Sequence, residues 1–104
     1  MKNLLQGIPD DLPEELFESL VIEDNVQIKR IVSRGHTSPE AGWYDQEDNE
    51  FVLVLKGAAR LEFEDGRCEG MGPGDWLVIP AHDKHRVAWT KEAEDTVWLA
   101  IHYP

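Results

Sequence analysis

Four histidines are the side chains of this chain best suited to chemistry: His36, His82, His85 and His102. Two of them fall in the stretch PAHDKHRV, where His82 and His85 flank a tight segment leading into a strand. Upstream, Glu50 opens the run EFVLVLKG, and Tyr44, Asp45 and Gln46 stand just before it across a Glu-Asp-Asn turn. Imidazoles combined with a carboxylate form a ligand set for zinc, iron, nickel or manganese. An i, i+3 histidine pair in a loop is more often a surface or capping pair, so spacing alone favours the plainer reading. Cys68 lies between Arg67 and Glu69 with no base close in sequence. It reads as a packing residue in a hairpin strand, not as a nucleophile. His102, near the C-terminus, reads as structural. Trp43, Trp76, Trp89 and Trp98 read as core and wall fillers, with Trp89 the one to watch. The sequence contains no P-loop, GxGxxG or GxSxG pattern.

The elements that must position these residues fall in two zones. Residues 1–25 form an arm with a short helix over about 12–20. Asp11 and Glu14 have capping-box spacing, Pro13 suits a first turn, and Leu12, Leu16, Phe17 and Leu20 share a helical face. Residues 26–104 read as strands broken by turns. VQIKRIVS, ARLEFE, HRVAWT and TVWLAIHY alternate apolar and polar residues, while EFVLVLKG and WLVIP are apolar runs. Asp65-Gly66 signals a hairpin, and Gly72-Pro73-Gly74-Asp75 a turn. The sum is an all-β domain of the sandwich or barrel type. Period-two alternation puts Glu50 on one face with Val52 and Val54, and His85 with Val87 and Trp89. Glu50 and His85 are then expected near one barrel end, on adjacent strands. A lone inward carboxylate is costly, so a metal or a hydrogen-bond partner should face it.

At these residues the sequence resembles a small single-domain cupin, over about residues 26–103. The second cupin motif, G-x5-P-x-G-x2-H-x3-N, is matched by Gly74, Pro80 and His85, with His82 in place of the glycine and Trp89 in place of the asparagine. In the first motif, G-x5-H-x-H-x3–4-E-x6-G, Glu50 and Gly57 match, and Tyr44 and Gln46 stand where the two histidines belong. The resemblance implies a double-stranded β-helix, or jelly-roll barrel; the short N-terminal helix read from the spacing in residues 12–20 would lie on its outside. The resemblance also implies a divalent transition metal in the barrel (zinc, iron, manganese or nickel) and no organic cofactor. Carried over by position, only Glu50 and His85 survive from the family's ligand set; with Gln46 ligating through its carbonyl oxygen and His82 supplying an imidazole from a new direction, the expected metal set is Gln46, Glu50, His82 and His85. Tyr44 and His36 stand in reserve and are the acid/base candidates. The implied activities are dioxygenation, isomerisation or decarboxylation of a small polar metabolite. Without an ion, Tyr44, Gln46, Glu50 and His85 form a hydrogen-bonded polar cluster, and the barrel is a binding or sensing pocket.

Charge and composition limit the partners. The net charge is −11, and residues 1–25 carry seven acids against one lysine. Such a chain repels phosphate backbones and anionic membranes, so neither nucleic acid nor a membrane is expected. Leu, Ile, Val and Phe make up 27 of the 104 residues, above the level typical of disordered chains and enough for one core. The single cysteine and the absence of a long apolar leader point to a cytoplasmic location. A small-molecule ligand is the expected partner. A homodimer is also expected, with Leu4-Leu5 packing across a second copy.

Overall fold

A computed structural model describes residues 1–39 and 41–104. Eight strands follow in order: β1 (Leu16–Ile22), β2 (Gln27–Ser33), β3 (Asn49–Lys56), β4 (Ala59–Phe63), β5 (Cys68–Met71), β6 (Trp76–Ile79), β7 (His85–Thr90) and β8 (Thr96–Tyr103). They form a five-stranded sheet, β1-β2-β8-β3-β6, facing a three-stranded sheet, β5-β4-β7. Every pairing of neighbouring strands is antiparallel. Among the described residues no helix is long and apolar enough to cross a membrane.

The alternation read from the sequence decides which side chains meet between the sheets. Glu50, Val52 and Val54 are all buried on the inner face of β3, and Trp98 and Ala100 answer them from β8. Leu61 and Phe63 from β4 and Ile79 from β6 complete the core with Met71. Tight turns set the registers. At Gly57, between β3 and β4, φ is +87°, and a Cβ would stand 2.6 Å from Thr96 Cα, so a larger residue does not fit.

The expected helix over 12–20 is not formed, and among the described residues there is no helix. Leu16–Ile22 is instead an edge strand paired with β2 through Leu16↔Val32, Phe17↔Ile31 and Glu18↔Arg30. A helix of nine residues gains little by itself. The strand gains a ladder and an ion pair with Arg30, and its end, Val21-Ile22, is β-branched and suited to a sheet. Leu16 and Phe17 thus fit period two as well as period 3.6.

Arg30 is only 6 % exposed, yet it is fully engaged. Its guanidinium pairs with Glu18 and donates to the backbone carbonyls of Leu4 and Gln6, with a longer contact to Gly7. Arg34 does the same further along, pairing with Asp95 and donating to the carbonyls of Pro9 and Asp10. These two arginines fasten residues 4–10 along β2 and the β7–β8 turn.

Three expectations about single side chains are corrected. Trp76 and Trp89 are 61 % and 40 % exposed, whereas Trp98 is buried. Trp76 lies on the outer face and stacks on Phe51. Trp89 is turned outward because the β4–β7 register shifts by one residue, from Leu61↔Val87 to Arg60↔Trp89, and Ala88 is the extra residue. Cys68 is an exposed free thiol, not a packing residue.

Candidate functional site

The site is built where the segment before β3 runs beside the segment before β7. Tyr44 N–H donates to His85 O at 2.8 Å, His85 N–H to Tyr44 O at 3.2 Å, and His82 N–H to Gln46 O at 2.8 Å. This short ladder imposes alternation on residues 44–46. Tyr44 and Gln46 face the barrel interior, while Asp45 faces outward and pairs with His82 at 2.8 Å. His82 has φ +62°, and its side chain is 65 % exposed. It therefore stands outside the cavity that Tyr44, Gln46, Glu50 and His85 share.

Gln46, Glu50 and His85 do converge, with Tyr44 beside them, on a cavity of about 240 Å³. The expectation of adjacent strands for Glu50 and His85 is corrected. Glu50 is on β3 in the larger sheet and His85 on β7 in the smaller one, so they meet across the barrel. The neighbour of Glu50 in the sheet is His102, its register partner on β8. His85 Nε2 stands 3.8 Å from Glu50 Oε1, and His102 Nε2 stands 3.7 Å from Glu50 Oε2. All three residues are buried.

The far side of each ring fixes its tautomer. His85 Nδ1 lies 2.8 Å from the backbone carbonyl of Asp83, and His102 Nδ1 lies 3.4 Å from Asp48 Oδ1. Both partners only accept, so in the neutral rings the proton sits on Nδ1. Both Nε2 lone pairs then face the Glu50 carboxyl. Glu50 also accepts from the Gln46 amide, whose Oε1 is buried with no hydrogen-bond partner among the described residues. Burial pushes the Glu50 carboxyl above its ordinary range, opposed by His102, His85 and the Gln46 hydrogen bond. The arrangement is a knot of acceptors with little to accept. It calls for a proton or a cation at its centre.

The donor set fits a divalent transition metal in kind: two imidazole nitrogens, one carboxylate and one amide oxygen. The hydrogen bonds from Nδ1 to oxygen are those that orient metal-binding histidines. The spacing is looser than a closed site, in which donors about 2.1 Å from an ion stand roughly 3 Å apart. Among the described residues no group of three or more His, Cys, Asp and Glu is assembled as a metal cluster.

The remaining candidate, His36, serves the scaffold. Its Nδ1 accepts from Arg34 N–H at 2.9 Å, and its Nε2 faces Pro13 O at 3.2 Å. Both ring nitrogens are thus used in holding the arm. His102 was the residue that sequence reasoning missed. The signal was present in TVWLAIHY, where alternation places it on one face with Trp98 and Ala100.

Two facing antiparallel sheets, with an acid and two imidazoles turned inward at one end, define a double-stranded β-helix barrel. The cupin-domain family model matches residues 31–102, and the chain belongs to the cupin family. Among solved structures, one described as a "putative mannose-6-phosphate isomerase" from Ralstonia eutropha JMP134 is 44 % identical, with a TM-score of 0.94 over 99 % of this chain and 96 % of that one. A cupin superfamily protein from Desulfitobacterium hafniense DCB-2 is 24 % identical, with a TM-score of 0.77 over 92 % and 83 % of the two chains. An RmlC-like cupin with a double-stranded β-helix fold from Methanocaldococcus jannaschii is 21 % identical, with a TM-score of 0.74 over 93 % and 86 %. These last two share the fold. No curated protein matches the chain.

Proposed function

We propose that this cupin holds a divalent transition metal at the polar end of its cavity and catalyses proton transfer on an oxygen-bearing small molecule bound there. Gln46 Oε1, Glu50, His85 Nε2 and His102 Nε2 would hold the ion. His102 takes the place that the sequence alone gave to His82. When bound, the metal would polarise a carbonyl or hydroxyl oxygen as a Lewis acid. Tyr44, 44 % exposed at the mouth of the cavity, would carry a proton to and from solvent. The observation that carries this reading is the pair of imidazole Nε2 atoms, from His85 and His102, standing 3.8 and 3.7 Å from the two oxygens of one buried carboxyl. The isomerase name of the Ralstonia relative supports the reaction type, since aldose–ketose isomerisation moves a proton between neighbouring carbons.

The test is metal titration of the purified protein, followed by NMR of small hydroxy-ketones in D2O. One equivalent of zinc, manganese, nickel or iron should bind, and C–H to C–D exchange should require it. Both should fail in Glu50→Gln. Binding of less than a tenth of an equivalent by wild-type protein overturns the metal reading.

A second reading has its own support. Burial raises the Glu50 carboxyl, and a protonated Glu50 could donate to one imidazole without any ion. The barrel would then be a binding or sensing module. Ligand-induced thermal stabilisation, with neither metal nor turnover, would favour it.

A further inference from the structure

Away from Glu50 the cavity changes character. Its walls are Phe17, Ile31, Val52, Leu61, Val87 and Trp98, drawn from both sheets. Lys29 is the only lysine or arginine among the described lining residues. The other acid there is Glu15, which accepts a hydrogen bond from Ser33 Oγ, and Ser33 in turn accepts from Trp98 Nε1–H. A phosphate dianion in this space would meet two carboxyls, one ammonium and the two imidazoles beside Glu50. It would find none of the arginine forks that make phosphate sites strong. It would also lose its hydration against apolar walls, at a high cost.

We infer that the ligand is an unphosphorylated small molecule with an apolar body, aromatic or branched aliphatic, and an oxygen-bearing end that meets Gln46, Glu50, His85 and His102. The inference rests on the polar-end reading proposed above for where the oxygens go. Its new content is the body and the missing phosphate. The body lies against Phe17, Ile31, Val52 and Trp98. The volume of about 240 Å³ is that of about eight waters, which admits one ring and its substituents. This chain would then differ in substrate from the sugar-phosphate isomerase that its Ralstonia relative is named for.

The experiment compares three probes by NMR, reading the Trp98 Nε1–H resonance: benzohydroxamate, acetohydroxamate and mannose 6-phosphate, each with metal-free and zinc-loaded protein. The two hydroxamates share a chelating head and differ only in the ring. Benzohydroxamate should bind at least about tenfold more tightly than acetohydroxamate in both states, because the ring buries apolar surface. Mannose 6-phosphate should be the weakest of the three. Phe17 is 56 % exposed on an edge strand, so Phe17→Ala should fold. It should weaken benzohydroxamate about fivefold and leave acetohydroxamate unchanged. Equal hydroxamate affinities, no binding of either, tightest binding of mannose 6-phosphate, or no effect of Phe17→Ala would each overturn the inference. If zinc strengthens neither hydroxamate while benzohydroxamate still binds more tightly, the metal reading falls and the apolar-body inference stands.

Discussion

Two buried charges in this barrel are treated in opposite ways. Arg30, 6 % exposed, has a partner for each part of its guanidinium: Glu18 and the carbonyls of the arm. Glu50, 7 % exposed, has among the described residues a hydrogen bond from Gln46 and two imidazole nitrogens held off at 3.7–3.8 Å. The first charge is saturated and does a fastener's work. The second is buried with its bonding capacity unspent. Protein interiors rarely leave such groups idle, because each unpaired polar group costs stability. An unsatisfied cluster that faces a cavity is where a ligand or ion can supply the missing contacts.

The largest effect should come from breaking the saturated side. Arg30→Ala leaves Glu18 and the arm carbonyls without their donor. It should lower unfolding free energy by about 3 kcal/mol, toward the low end for a broken buried pair because the Glu18 side chain is 40 % exposed. Urea denaturation measures it. A loss below about 1 kcal/mol would mean that Arg30 and Glu50 are not the contrast described here.

Next in size is the unsaturated side. His102→Ala should weaken zinc binding about a hundredfold by calorimetry, whereas His82→Ala should leave it unchanged. The reverse order would move the polar end to the outer loop, where His82 pairs with Asp45. Asp48→Ala removes the acceptor behind His102 and should cost about tenfold in zinc affinity, as loss of an orienting partner does. No change would mean that the ring is held by packing alone.

The smallest effect concerns Glu15. Burial raises its carboxyl above the ordinary 4.5, against the hydrogen bond from Ser33 and the nearby His36. An acid raised in the folded state contributes its stability below the unfolded value and loses it as pH rises through the folded one. Glu15→Gln, which can still accept from Ser33, should therefore raise the melting temperature at pH 7. The gain should vanish below about pH 4.5. A gain that persists at pH 4 would place the effect in packing rather than charge.

Much of the barrel was legible because its strands advertise themselves. EFVLVLKG, ARLEFE, Asp65-Gly66 and TVWLAIHY carry period-two alternation and turn residues that leave few alternatives. The arm was not, since Leu16 and Phe17 satisfy two periods and only the partner β2 decides between them. The inward turn of Glu50 and His85 was legible from alternation and motif spacing. Their meeting across the barrel was not, because it depends on strand order, and strand order is set by pairings some fifty residues apart, such as Glu50↔His102. His102 was read as structural, apart from the site, for the same reason. Alternation told its face but not its neighbour. His82 and Trp89 show the opposite failure. A left-handed residue and a one-residue bulge each break alternation at the point where the motif was being counted.

Long-range proton–nitrogen NMR of metal-free protein at neutral pH reads the tautomers of the His85 and His102 rings directly. In their neutral form His85 and His102 should both carry the proton on Nδ1, with Nε2 bare, and added zinc should shift both Nε2 resonances together. A proton on Nε2 of either ring, with no response to zinc, would contradict this arrangement.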